Sequence, residues 1–368
     1  MEITRKLASI QRIEEIRPIE GADRICQYRV LGWWITNQIR EFEVGDLVVF
    51  FEIDSFIPTR HENLSFLKDR CFRSTTNLGD GYRIRTMKMR GVVSQGLIQS
   101  IKDFPDLNDI TFSEGFDVTE LLGVQKYEKP ISASLAGIAR GNFPSFIPKT
   151  DQERYQNIRK SDLEKVKNIP FEVTTKMDGS SMTAYWRNGD FGVCSRNLDL
   201  KDDAENNFKS LDNSEDPSWK TENLFWKMAR KLNLKEILDD MKLNIAIQGE
   251  LCGPGIQGNP AQLSDHSLFI FDIFDIDRSR YYAPLERMAL LDAINKSFNA
   301  NLQAVPFLMC RTFGDVLLDD RLIHFMADSS KMMNGGIELP AEGLVFKSND
   351  GGFSFKMISD TYLLNEED

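Results

Sequence analysis

The sequence predicts a two-domain α+β protein with a β-rich front, a short extended connector and a larger domain of strands mixed with helices. Three observations carry this prediction. The chain has 368 residues, more than one ordinary core accommodates. Its first 125 residues read as short strands punctuated by turns, without a sustained helical period. After a stretch rich in proline and glycine, helical periods appear between strand-like runs. The expected boundaries are 1–125, a linker over 126–147, and 148–368.

In the front part, CQYRVLGWWIT (26–36) and DLVVFFEIDSFIP (46–58) are rich in β-branched and aromatic residues, and Gly32, Gly45-Asp46 and Pro58 interrupt them. In YRIRTMKMRGVVSQGLIQSI (82–101), apolar and basic residues alternate up to Gly91. That pattern predicts Ile84 and Met89 on a core face, with Arg83, Arg85, Lys88 and Arg90 pointing out. Short strands at this spacing suit a small barrel or sandwich. The linker carries Pro130, Gly137, Gly141 and Pro144 and reads as an extended segment.

Beyond it, residues 151–168 read as a polar helix, and residues 218–241 place Trp219, Leu224, Phe225, Met228, Leu232, Ile237 and Leu238 on one helical face. Further helices are expected at 285–298 and 315–330, and strands at 171–177, 181–188, 191–196, 244–251, 267–276, 342–348 and 353–358.

Composition narrows the class. Hydrophobic residues make up 41% and charged residues 27%, as in a soluble globular protein. No apolar run is long enough to predict a membrane span, and the start, MEITRKLASIQRIEEIRP, lacks the apolar stretch of a secretory signal. The 5 cysteines are scattered without a CxxC pair, which predicts reduced thiols and a cytoplasmic or other reducing compartment. Three histidines without metal spacing predict no His-rich metal centre. The net charge of -11 counts against a nucleic-acid partner. Residues 1–125, however, carry 16 basic against 19 acidic side chains, so local patches decide.

The chemistry centres on Lys176-Met177-Asp178-Gly179. A lysine at a strand end followed by Asp-Gly places an amine at a cleft lip, and a tight turn there brings backbone N–H groups toward a phosphate. Taken alone, this tetrapeptide fits a hairpin turn with a solvated lysine better. Other blocks follow in order: Ser195-Arg196-Asn197, Gly249-Glu250-Leu251 with Gly253-Pro254-Gly255, Phe269-Ile270-Phe271-Asp272, Glu342-Gly343-Leu344-Val345 and Phe355-Lys356. Glu250 stands in an otherwise apolar strand, where an unpaired carboxylate is costly to bury.

This ordered set resembles the covalent nucleotidyltransferase superfamily of polynucleotide ligases and RNA capping enzymes, which pass through a lysyl-nucleotide intermediate. GELCGPGIQ (249–257) and the 20 residues from Lys176 to Arg196 look most like the RNA ligases. The resemblance covers about residues 148–358 and implies an adenylyltransferase domain of antiparallel sheets and helices. By that analogy Lys176 is the nucleophile, and Lys356 supplies positive charge to the phosphates. Glu342 would hold a divalent metal, Mg2+ or Mn2+. Glu250 would accept a ribose hydroxyl, Arg196 would contact the sugar, and Phe271 would stack on the purine, with Phe269 as second choice. Lys149–Asn157 resembles a segment preceding the nucleophile in several RNA ligases, which implies that Arg154 contacts phosphates. Ser354 stands where many members have the first lysine of K-x-K.

The front domain, through GADRICQYRVLGWWITN, FEVGDLVVFFEIDSFIP and RGVVSQGL, looks like the OB-type barrel preceding the catalytic domain in one small class of ATP-dependent RNA ligases. OB folds bind nucleic acid through aromatic and basic side chains, so Arg83, Arg85, Lys88 and Arg90 are the implied RNA contacts. Trp33 and Trp34 read better as a buried pair. The expected activity is ATP-dependent sealing of RNA 3′-hydroxyl and 5′-phosphate ends by a monomer, in a nicked duplex or at broken ends, with no membrane partner. Two alternatives stand beside it. One is a capping-type guanylyltransferase, disfavoured because only 12 residues follow Lys356. The other is a non-enzymatic RNA-binding protein, disfavoured by the intact blocks.

Overall fold

The structure is a computed structural model that describes residues 5–108, 110–127, 138–202 and 223–365. It divides into two compact units. One takes the described residues of Ile3–Ile131, Glu153–Leu163 and Asp360–Asp368; the other takes those of Ser132–Gln152 and Glu164–Ser359. The expected boundaries do not anticipate that 153–163 and the tail belong with the front unit. Parts of two expected features lie outside the described residues: 128–137 of the linker and 218–222 of the helix.

The front unit is built around the strand Ala8–Pro18, which its charged residues Arg12, Glu14, Glu15 and Arg17 hide from a pattern reading. Ala8 to Arg12 pair with Leu47–Phe51, and Ile13 to Pro18 pair with Ile25–Val30. A register shift between Ile13 and Glu15 bends the strand so that it serves both neighbours. The sheet runs, by strand, Leu97–Gln99, Leu47–Phe51, Ala8–Pro18, Ile25–Val30 and Trp33–Gln38. Gln95 N–H donates to Trp34 O at 2.9 Å and Thr36 N–H to Ser94 Oγ at 2.9 Å, which draws the two sheet edges together into a nearly closed barrel. A second sheet orders Gln125–Lys126, Ser55–Pro58, Gly79–Arg83 and Phe72–Thr75. Ile10, Val49, Phe51, Ile57, Leu64, Phe104 and Val118 fill the core.

The stretch 82–101 is three short strands, Gly79–Arg83, Met87–Met89 and Val92–Ser94, followed by Leu97–Gln99. Ile84 is buried as expected, but so is Arg83. Its guanidinium lies 4.4 Å over the Tyr127 ring and 3.7 Å from Asp54. A carboxylate and an aromatic face offset the desolvation of that cation, which alternation alone cannot reveal. Trp33 is fully buried and donates from Nε1 to Asn157 at 2.7 Å. Trp34 is half-buried beneath Arg17, whose guanidinium sits 3.9 Å from the ring.

In the second unit, an antiparallel sheet runs through Ala139–Asn142, Leu198–Leu200, Asp190–Cys194, Ser180–Arg187, Ile245–Cys252, Ser267–Asp275 and Arg280–Tyr281. Ala139–Asn142, which the sequence places in the linker, is therefore an edge strand. A smaller sheet orders Phe307–Thr312, Pro170–Lys176, Gly343–Ser348 and Ser354–Ile358. The single helix expected over 218–241 is two, Leu224–Lys231 and Leu234–Met241, because Asn233 adopts φ 52° in the left-handed region that asparagine tolerates. Their Phe225, Trp226, Ile237 and Leu238 pack on Ala184, Val193, Ile245 and Ile247 of the large sheet.

One buried ion pair ties the small sheet to the helix Pro284–Phe298. Arg287 Nη2 donates to both Glu172 oxygens at 2.7 Å, and the two residues are 1% and 3% exposed. Removing one partner strands the other charge in the interior. Glu172→Ala is expected to lower the unfolding free energy by about 3–5 kcal/mol in chemical denaturation. Combining it with Arg287→Met should recover most of the loss, and a single-mutant cost below about 1 kcal/mol would show that the charges do not depend on each other.

Candidate active site

The strand Pro170–Lys176 stops at Lys176 because Met177-Asp178-Gly179 turns the chain. At Gly179 a side chain would meet Leu251 O at 2.5 Å, so only glycine lets the turn lie against the Gly249-Glu250-Leu251 strand. Register places Lys176 opposite Gly343. A Cβ at Gly343 would run into Met357 O, so the glycine lets its strand lie close to its neighbour, which leaves Glu342 beside Lys176. Lys176 Nζ donates to Glu342 Oε2 at 2.5 Å.

Burial depresses the Lys176 pKa most strongly, but attraction from Glu342, Glu250 and Asp178 outweighs it and holds the amine above its ordinary value. The free protein thus keeps Lys176 as an ammonium in an ion pair. The neutral amine needed for attack on a phosphate arises only when the local charge balance changes. At Glu250, by contrast, burial prevails. Burial, with Glu342 and Asp178 adding to it, pushes its carboxyl to about 7, although Lys176 and Arg196 pull it down. Lys176, Glu342, Glu250, Asp178 and Arg196 therefore act on one another electrostatically.

Phe271 lies at a bulge, where the register passes from Gln248–Asp272 to Gly249–Ile270. Phe269 and Phe271 are half-buried against Met177, Cys252, Val305, Met332 and Leu339. Thr174, Val345 and Lys356 are register partners across three strands, which puts Lys356 on the same sheet face as Lys176, two positions along. Arg196 is exposed and donates to Asp151 Oδ1 at 2.7 Å.

Sequence reasoning missed Lys347. Its Nζ lies 2.7 Å from both Asp272 Oδ1 and Phe271 O, binding the strand of Phe271 to the small sheet. Burial lowers its pKa, against the pull of Asp272. A lysine in the apolar run Gly343–Ser348 is the signal that would have found it.

The remaining predicted residues belong to the front unit. Arg154 is buried, with Nη2 3.2 Å from Asp54 and Nε 3.9 Å from Glu52. Arg85 is half-buried, whereas Lys88 and Arg90 are exposed.

Comparison with known proteins follows the same division. An OB-fold domain model matches residues 7–101, and an RNA ligase model matches residues 169–358. Among solved structures, an apo mutant of Naegleria gruberi RNA ligase is similar with a TM-score of 0.85 and 38% identity, covering 99% of this chain and 98% of that one. A mutant of the same ligase with ATP and Mn gives 0.84 and 38%, over 98% and 99% of the two chains. The form with PPi gives 0.84 and 39%, over 98% of each. No curated protein matches. With this identity over nearly its whole length, the chain belongs to the family of ATP-dependent RNA ligases in which an OB-fold domain precedes the ligase domain.

Proposed function

We propose that Lys176 takes AMP from ATP and that the enzyme then seals a 3′-hydroxyl to a 5′-phosphate, at a nick in an RNA duplex or at broken ends. The observation that carries the proposal is the convergence of Lys176, Glu342 and Glu250 on one another at the meeting of the two ligase-domain sheets. The Nζ lone pair attacks the α-phosphorus of ATP, the bond to the bridging oxygen breaks, and pyrophosphate leaves. AMP next passes to the RNA 5′-phosphate, and the 3′-hydroxyl finally displaces it.

The residues fit a divalent cation. Glu342 and Asp178 both raise Glu250, a sign of surplus negative charge that a cation would relieve. Glu342 would hold the metal, which supplies positive charge at the phosphates when bound. A cation held by Glu342 would weaken its pull on the Lys176 proton, and burial of Lys176 would then favour the neutral amine. Glu250 then suits a ribose hydroxyl, Arg196 the sugar, Lys356 the phosphates, and Phe271 the purine face. Arg154, whose guanidinium lies against Asp54 and Glu52, is proposed to contact a phosphate of the nucleotide or of the RNA 5′ end.

Incubation with labelled ATP and Mg2+, followed by proteolysis and mass mapping, tests the assignment. One AMP on the Lys176 peptide is expected, and a label on another lysine would refute it. RNA engagement has its own signature. Lys88→Ala with Arg90→Ala is expected to weaken binding to nicked RNA duplex and to flatten the dependence of log affinity on log salt by about 0.9 per lost phosphate contact. An unchanged slope would remove these two side chains from the RNA interface.

A further inference from the structure

The turn that carries Arg196 joins the strands Asp190–Cys194 and Leu198–Leu200 and is closed by Ser195 N–H donating to Leu198 O at 2.9 Å. Arg196 stands on this turn with about half of its side chain exposed. Packing alone does little to fix a guanidinium in such a place, and a long side chain that is ordered only on binding costs affinity.

Residues 148–151 supply a holder, because they are tied to the large sheet and this turn at each successive position. Pro148 O accepts from Gln248 Nε2 at 3.0 Å, and Gln248 is fully buried. Lys149 Nζ donates to Asn197 Oδ1 at 3.4 Å. The hydroxyls of Thr150 and Ser181 are hydrogen-bonded at 2.8 Å. Asp151 Oδ1 accepts from Arg196 Nη2 at 2.7 Å. Lys149 and Asp151 thus grip two successive residues of the turn, while Thr150 between them is anchored to the sheet.

The anchors also fix where this happens. Ser181 is the register partner of Glu250, and Gln248 lies two positions before Glu250 on the same sheet face. Arg196 is one of the charges that pull the Glu250 carboxyl down, so the two groups proposed for the sugar are within electrostatic reach of each other. Left unheld, Arg196 would be drawn to the acids of the site, and a pair with Glu250 would occupy the carboxylate meant for a ribose hydroxyl. Asp151 takes one N–H of a group that has five, which leaves donors for sugar oxygens.

We infer that Asp151, carried on the strap 148–151, is a positioning residue for nucleotide binding that holds Arg196 in place for the ribose and keeps it off Glu250. This rests on Arg196 contacting the sugar and goes beyond it, because it gives the strap and its anchors at Gln248 and Ser181 a part in nucleotide affinity.

Self-adenylylation of the full-length protein over a range of ATP concentrations with Mg2+ tests the assignment. Asp151→Ala should raise KM for ATP about tenfold and leave kcat within about threefold, the pattern of a lost binding contact. Asp151→Glu, which keeps the carboxylate, should recover most of the loss. In an Arg196→Ala background Asp151→Ala should add nothing, because its effect passes through the guanidinium. Calorimetry of ATP binding with Mg2+ withheld reads the same contact as Kd, so the comparison holds even if Lys176 takes no label. An unchanged KM and Kd in Asp151→Ala, a fall in kcat alone, no recovery in Asp151→Glu, or an equal penalty in both backgrounds overturns the inference. Failure of the underlying reading looks different. Arg196→Ala with wild-type affinity would remove the guanidinium from the sugar site, and the role of Asp151 with it. Weakened binding in Arg196→Ala beside wild-type binding in Asp151→Ala would keep Arg196 at the sugar and leave Asp151 without the role.

Discussion

Lys176→Ala is expected to abolish self-adenylylation, with no AMP adduct detectable by intact-protein mass spectrometry after incubation with ATP and Mg2+. The reason is chemical. The adduct is a phosphoramidate to Nζ, and no neighbouring group in the described site offers a second amine at that position. Lys176→Arg should be equally inactive, because a guanidinium stays protonated and its lone pair is delocalised. Sealing from ATP should fall with labelling in both variants. An RNA already carrying a 5′-adenylate enters after the lysine has done its work, so its joining should survive far better. Equal loss of both reactions would mean that Lys176 mainly holds the site together, and an AMP adduct on Lys176→Ala would locate the nucleophile elsewhere.

Glu342→Gln is expected to slow adenylylation by about a hundredfold or more, roughly 3 kcal/mol of transition-state stabilisation, because the proposed metal ligand loses its charge while keeping its shape. The same change should alter the pH profile in the opposite sense. In the wild-type free enzyme Glu342 and its neighbours hold the Lys176 proton above the ordinary lysine value. A raised lysine pKa means the reactive amine is scarce at neutral pH and increases as pH rises, so kcat/KM for adenylylation should climb through the neutral and alkaline range. Removing the Glu342 charge lets burial dominate and shifts that rising limb to lower pH, while the plateau drops. A variant with wild-type rate, or one whose profile does not move, would show that Glu342 is only a turn residue.

Where a strand is apolar, β-branched and bounded by turns, the pattern locates it to within one or two residues, as at Pro170–Lys176, Ile245–Cys252 and Gly343–Ser348. The site blocks were legible for a related reason. Gly179 and Gly343 are demanded by close backbone approach, and Glu250 is conspicuous because a charge interrupts an apolar run. What escaped depended on partners remote in sequence. Arg154 is separated from Asp54 by 100 positions and Glu172 from Arg287 by 115, so their burial left no local trace. Arg83 reads as an outward cation until Asp54 and Tyr127 are seen beside it. The break at Asn233 was invisible because the apolar stripe continues across it, and only the backbone angle records the interruption.

The division of the chain also dictates an order of assembly. The OB unit draws on residues near the start, on 153–163 and on 360–365, so the ligase domain is in effect spliced into it. On a translating ribosome its barrel strands emerge first, yet Gly32, whose N–H bonds to Gln156 O at 2.8 Å, waits through more than a hundred residues for that partner. Gln95 waits longer still for Asp360. The first module to begin synthesis is thus the last to be completed, and removing residues 360–365 would injure the OB unit while the nucleotide site nearest to them in sequence keeps all its parts.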